Sequence, residues 1–243
     1  MKHRVLAFLL SLCLLVGMFP AAALAADTTW SEVVTEEPEG YEEDADGDVT
    51  ISSAEGLAWF AKQVNEGSSF AGKRVSLEED VNLSDYEWVP IGTQEHPFDG
   101  TFDGNLNKIS GIKITLSETN TTAGLFGRVS NAVFEDVIIR DAEVKGTIVG
   151  EKNPSTNDDR FTGVYIGGIA AGLKEMHSSG ENTVEINNCQ AEMDIDIQTE
   201  NGVYAVIGGV LGWTEGNWNG SKAAISDTDA DLNVRCEAAD GFY

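Results

Sequence analysis

The chain has 243 residues, of which 41 are acidic and 15 are basic, so its formal net charge at pH 7 is −26. A surface with that excess of acid repels phosphate backbones and anionic lipid. The composition therefore argues against nucleic-acid binding and membrane-surface binding. The length fits one domain of ordinary or somewhat extended size.

The first 26 residues have the pattern of a secretory signal peptide. Lys2 and Arg4 give a basic start, residues 5–18 are almost entirely apolar, and Ala23 and Ala25 are the small residues that signal peptidase accepts. The apolar run is too short for a membrane anchor. We expect a mature protein that is secreted or attached to the cell surface, with no membrane insertion after cleavage.

Two cysteines, Cys189 and Cys236, remain in the mature chain. Two are too few for a disulfide framework, and no histidine lies near either of them, as a zinc site would need. A buried free thiol is the favoured interpretation of Cys189, and a Cys189–Cys236 bridge is the alternative.

Residues 27–48 are rich in acid and lack apolar periodicity, which predicts a flexible leader. The acids around Gly47 resemble the start of a calcium loop. Counted from Glu42, however, the twelfth position of such a loop is Ser53, where a glutamate is needed.

An amphipathic helix is predicted over about residues 53–66. Ser52 and Glu55 have the spacing of a capping box, and Gly67 is a typical C-terminal stop. The apolar residues Leu57, Phe60 and Val64 then follow at helical spacing.

The rest of the chain consists of short apolar runs separated by turn residues, and it repeats itself. Gly124, Gly168 and Gly209 occupy equivalent positions, 44 and 41 residues apart, and are expected to form one column. Downstream of them, Phe134 matches Ile186 and Ile225. Three short strands per repeat predict stacked coils of a parallel β-helix, with the helix at 53–66 as its N-terminal cap. An antiparallel β-sandwich is the alternative, and it would need regularly spaced hairpin turns.

Several phrases resemble those of exported bacterial surface proteins with the GLUG motif. They are WVPIG at 88–92, PFDGTFDGN at 97–105 and AGLFG at 123–127, with lead-in phrases at 51–57 and 70–73. The resemblance covers residues 49–243. It implies an all-β fold, a right-handed parallel β-helix (a solenoid), with an adhesion-like or stalk-like role. It carries over no catalytic residues.

No enzymatic constellation stands out in the sequence. His96 and His177 are isolated, the His-Glu-x-x-His metalloprotease motif is absent, and the only acid pair beside a base is in the loop at 158–160. We therefore expect a non-catalytic scaffold or adhesion module. The alternative is the accessory N-terminal part of a larger secreted enzyme, such as a surface protease or a polysaccharide-active enzyme.

A structural calcium ion is the one cofactor that the acids suggest. Asp194 and Asp196 share one strand face, and Asp229 and Asp231 share the equivalent face one repeat later. Stacked strands would bring such carboxylates together, and calcium prefers oxygen ligands. A solvated acidic face is the simpler interpretation.

Trp213 and Trp218 flank a polar loop and are the candidate ligand-binding residues. Exposed aromatic rings at the edge of a solenoid stack on sugar rings, which would make a glycan the partner, with a host surface protein as the alternative. Tryptophans that pack as a local lid would look the same in sequence.

The sequence ends inside a phrase. Residues 240–243 resemble the start of the repeats at Gly163 and Gly202. Because solenoids need caps at both ends, we expect the β-helix to continue into further repeats or domains.

Overall fold

The computed structural model describes residues 28–150, 163–174, 182–200, 203–214 and 222–238. The predicted signal peptide, Trp218 and the C-terminal phrase lie outside these residues. Within the described ranges, no helix combines the length and the apolar character needed to cross a bilayer.

The protein is mostly β-structure, and its two described helices lie in the N-terminal part of the chain, α1 at Trp30–Val33 and α2 at Ala54–Asn65. The strands before the repeats are β1 (Tyr41–Glu43), β2 (Val49–Ile51), β3 (Arg74–Leu77), β4 (Val81–Asn82), β5 (Thr101–Asp103), β6 (Lys108–Ser110) and β7 (Lys113–Leu116).

Each of the three repeats supplies four strands. The first repeat contains β8 (Thr122–Ala123), β9 (Phe126–Val129), β10 (Ala132–Glu135) and β11 (Ile138–Val149). The second contains β12 (Gly163–Gly167), β13 (Ala170–Leu173), β14 (Thr183–Asn187) and β15 (Gln190–Glu200). The third contains β16 (Tyr204–Gly208), β17 (Leu211–Trp213), β18 (Lys222–Ser226) and β19 (Asp229–Ala238).

Equivalent strands of successive repeats pair in parallel. The series are β8–β12–β16, β9–β13–β17, β10–β14–β18 and β11–β15–β19. Among the described strands, only β1 and β2 pair antiparallel. The parallel pairing agrees with an all-β fold built from repeats and contradicts the antiparallel sandwich.

The repeats differ in detail from the sequence prediction. There are four strands per repeat rather than three, because the chain bends at Gly168 between β12 and β13 and bends again at Gly209 between β16 and β17. The predicted column of glycines is wrong by one residue in the first repeat. Ala123 pairs with Ile166, so Gly124 lies opposite Gly167.

Residues 28–48 are folded, which contradicts the predicted flexible leader. Trp30 is 4% exposed, and its indole N–H donates a hydrogen bond to the Leu83 carbonyl at 2.9 Å. Its ring packs edge-on against Tyr86, with 5.1 Å between the ring centroids. Tyr41 is buried as well. Two isolated aromatic residues therefore anchor a segment that has no apolar periodicity.

Helix α2 lies where the sequence predicts a helix, and its apolar face is buried as expected. Its N-cap is Ser53 rather than Ser52, and the Ser53 hydroxyl accepts a hydrogen bond from the Gly56 N–H at 3.0 Å. The fully buried residues of its inner face include Leu57, Phe60 and Val64.

The helix joins an aromatic core that is continuous with the repeats. The ring centroid of Phe60 lies 5.7 Å from that of Phe98, in an edge-to-face contact, and 6.2 Å from that of Phe102, in a stacked contact. In the repeats, Phe134 pairs with Phe102 on one side and with Ile186 on the other. The same column ends at Ile225, which pairs with Ile186 and is 49% exposed.

A second column lies at the turn after this strand. Asp136, Asn188 and Asp227 all have left-handed backbone, with φ of 54°, 51° and 50°. Asn and Asp adopt this conformation more readily than other non-glycine residues. The Asn188 amide also donates to the Asp136 carboxylate at 2.5 Å, which links two adjacent turns.

Ile186 and Ile225 allow a matched test of the column. Ile186→Ala should lower the free energy of unfolding by about 2–5 kcal/mol, because it leaves a cavity in a buried site. Ile225→Ala should cost less than half as much, because that side chain is half exposed. Urea denaturation of both variants measures the difference, and equal losses would contradict the column.

Candidate functional site

Four side chains from three repeats form an arginine–aromatic cluster on the protein surface: Arg128 of β9, Tyr165 of β12, Tyr204 of β16 and Trp213 of β17. The Arg128 guanidinium lies 4.6 Å from the Tyr165 ring centroid and 5.5 Å from that of Trp213. The two rings are 5.2 Å apart. The Tyr165 and Tyr204 hydroxyls are 2.7 Å apart, within hydrogen-bond distance.

Glycines make room for this arrangement. Gly172 pairs with Arg128 on one side and with Trp213 on the other, so the three residues form one row. A Cβ at Gly172 would lie 3.0 Å from Arg128 Nη1. A Cβ at Gly163 would lie 2.5 Å from the Tyr165 hydroxyl, so that glycine leaves the space in which the phenol rests.

The cluster is half buried and held in place. Arg128 is 8% exposed and donates to the Leu173 carbonyl at 3.4 Å. Tyr204 is 42% exposed, and Tyr165 and Trp213 are of intermediate exposure. Because cation–π contacts fix the arginine over two rings, the cluster presents aromatic surface to solvent in a set geometry.

The sequence identified one member of this cluster. Trp213 was predicted as a ligand-binding residue and lies within it, whereas Trp218 lies outside the described residues. Arg128, Tyr165 and Tyr204 were missed. The recurrence of tyrosine in the phrases at 163–165 and 202–204 was the signal that could have identified the two tyrosines.

The predicted calcium ligands do not face one another. Asp194 lies between Glu143 of β11 and Asn233 of β19. Asp196 lies between Lys145 and Arg235 in the same sheet, and Arg235 Nη1 is 4.0 Å from its carboxylate. Asp196 therefore pairs with Arg235, whose closer partner is Glu237 at 2.7 Å.

The other two predicted ligands, Asp229 and Asp231, lie opposite the residues four and two positions before Asp194. Asp229 pairs with Gln190, and Asp231 pairs with Glu192, whose carboxylate is 3.8 Å from the Arg140 guanidinium. In the described part of the chain, no group of three or more acidic, histidine or cysteine side chains is placed to hold a metal ion. The calcium site remains a prediction.

A lysine side chain of the protein contacts the acidic turn at 44–48. The Asp44 carboxylate accepts from the N–H groups of Asp46 and Asp48 at 2.8 and 3.0 Å. The Lys73 ammonium donates to the Asp46 carbonyl. A lysine thus lies beside the turn that resembles a calcium loop.

Cys189 and Cys236 are both free, so the alternative of a bridge between them is not formed. Cys189 is buried, and the desolvation raises the pKa of its thiol from 9.0 to about 11. The interpretation of Cys189 as a packed thiol is confirmed. Cys236 is exposed on β19.

Comparison with known proteins gives no relative. The chain matches no family model, no curated protein and no solved structure.

Calcium titration tests the predicted metal site. We expect calcium to raise the melting temperature no more than sodium chloride of equal ionic strength, because the four aspartates are not paired with one another across the strands. A larger rise with calcium that disappears in Asp194→Asn and Asp231→Asn would contradict this expectation and establish the site.

The two thiols should differ in reactivity. At pH 8, a thiol reagent should modify Cys236 and leave Cys189 untouched until the protein is denatured, because a thiol must ionise to react. Cys236→Ser should abolish labelling of the native protein. Modification of Cys189 in that variant would show that its site opens.

The raised pKa of Cys189 also has a consequence for stability. The folded state holds the Cys189 proton more tightly than the unfolded state, so this thiol favours folding fully below about pH 9 and loses that contribution as the pH rises toward 11. Cys189→Ala should therefore have a flatter loss of stability between pH 9 and 11 than the parent protein. An unchanged slope in urea denaturation would contradict the assignment.

Proposed function

We propose that this chain is a non-catalytic binding module of a secreted or cell-surface protein, and that it holds a neutral glycan against the arginine–aromatic cluster. The observation that carries the proposal is the row Arg128–Gly172–Trp213 with Tyr165 beside it. It places partly exposed aromatic rings on adjacent strands, and aromatic rings pack against the C–H faces of sugars.

The chemistry of the cluster favours a neutral ligand over a charged one. Arg128 already occupies the position above Tyr165 and Trp213 where a ligand cation would bind. A polyanion would be repelled by the net charge of −26. A polyhydroxylated ligand with apolar ring faces satisfies both constraints.

The proposed architecture is a right-handed parallel β-helix with α2 as its N-terminal cap. The parallel, in-register pairing of all three repeats supports it. So does the burial of Phe60 of α2 against Phe98 and Phe102. The resemblance to GLUG-motif surface proteins and the signal-like N-terminus support an exported protein with an adhesion-like role.

A glycan array with neutral and acidic glycans tests this function. We expect neutral glycans to bind, and Trp213→Ala to weaken the best of them about tenfold, because an aromatic contact contributes about 0.5–1.5 kcal/mol beyond the area it buries. Tyr204→Ala should weaken binding as well.

Trp59→Ala is the matched control. Trp59 is also partly buried and lies 5.7 Å from a cation, the Lys62 ammonium, but it is on α2. Its loss should leave glycan affinity unchanged. Equal losses for Trp59→Ala and Trp213→Ala, or an array with no neutral hit, would overturn the proposal.

A further inference from the structure

A polar cleft of about 340 Å³ lies beside the arginine–aromatic cluster. The loop after α2 forms one wall, with Ser69, and the loop that contains His96 and Asp99 forms another. Ser130 and Lys174 also line the cleft.

The cleft and the cluster adjoin along two strands. Ser130 directly follows β9, which carries Arg128, and Lys174 directly follows β13, which carries Gly172. The register of β9 and β13 therefore places Ser130 and Lys174 two residues further along the strands than Arg128 and Gly172, next to the row that forms the cluster. A linear ligand that runs along the direction of these two strands reaches both the cluster and the cleft.

Part of the cleft wall is fixed by hydrogen bonds. The Asp99 carboxylate accepts from the Ser69 hydroxyl and from the Phe70 N–H, both at 2.8 Å. The Asn131 side chain accepts from the Thr183 N–H at 3.1 Å. Such preorganised groups lose little conformational freedom when a ligand binds.

Other polar groups of the cleft are uncommitted. Among the described residues, the side chains of Glu95, His96 and Lys174 have no hydrogen-bond or ion-pair partner. Together they offer a carboxylate, an imidazole and an ammonium group to one small volume. Carboxylate acceptors and ammonium donors in one cleft match vicinal hydroxyl groups, each of which donates one hydrogen bond and accepts others.

We propose that this cleft is a second sugar subsite, so that the cluster and the cleft together bind a neutral oligosaccharide of two or more units. The inference rests on the proposed function and extends it to a particular class of ligand. The cluster stacks on one ring, and the cleft binds the hydroxyl groups of a neighbouring ring. Anions are disfavoured by Glu95 and Asp99, and metal cations are disfavoured by Lys174.

The test measures affinity against ligand length. The probes are linear neutral oligosaccharides of one to six units, taken from β-glucan, β-mannan and α-glucan series, with binding measured by calorimetry. For the series that binds, we expect affinity to rise about tenfold or more between one unit and the longer members. In Glu95→Ala combined with His96→Ala, the longer members should bind no better than the shortest.

A matched control and a second readout separate a local effect from a general one. Glu55→Ala removes an exposed acid from α2 and should keep the full dependence on length. The His96 imidazole proton signals should shift with the longer oligosaccharides and not with the monosaccharide.

The possible outcomes distinguish the two proposals. Binding that depends on Trp213 but not on length, or length dependence that survives the double variant, would overturn the second subsite and leave the first intact. Absence of binding to all three series would also overturn the second subsite. In that case the glycan array alone tests the proposed function: a neutral glycan that binds would support it, and an array with no neutral hit would overturn it.

Discussion

The in-register parallel pairing of equivalent strands is the constraint on which the rest of the structure depends. Phe134, Ile186 and Ile225 occupy one column although they are separated first by 52 residues and then by 39. Most of the variation in repeat length falls in the connections between strands, and one extra residue lies within β11 between Ile139 and Ala142, while the apolar column is kept. Because a slip of one residue would turn every apolar side chain outward, the core fixes the register, and the register fixes which surface residues meet.

Sequence patterns predicted those features that depend on local periodicity. The helix with Leu57 and Phe60, the apolar column and the repeated strands were all visible as spacing. Residues 28–48 were not, because Trp30 is held by contacts with Leu83 and Tyr86 more than fifty positions away. The predicted alignment of Gly124 with Gly168 and Gly209 is wrong by one residue, because the first repeat has one residue fewer between the paired positions than the second. Ala123 pairs with Ile166, and Phe126 pairs with Ala170.

The candidate site was less predictable than the fold because it is assembled across repeats. Arg128 contacts Tyr165 and Trp213, which belong to the second and third repeats, and no local pattern marks such a group. The predicted calcium ligands illustrate the same limit. Alternation placed Asp194 and Asp196 on one face correctly, but only the register shows that Asp196 lies between two cations, Lys145 and Arg235.

The register also explains why the two surfaces of the repeats have different chemistry. On the sheet of β11, β15 and β19, each outward position is repeated three times, so a uniform acidic column there would place like charges on neighbouring strands. Interleaved basic and amide residues such as Lys145, Arg235 and Asn233 relieve this repulsion. In the row of β9, β13 and β17, the middle position is Gly172, and the flanking side chains Arg128 and Trp213 close over the gap. The same stacking that makes an outer column of acids costly thus brings one cation, one glycine and one aromatic ring into a single row, and that row is the surface to which we assign the proposed ligand.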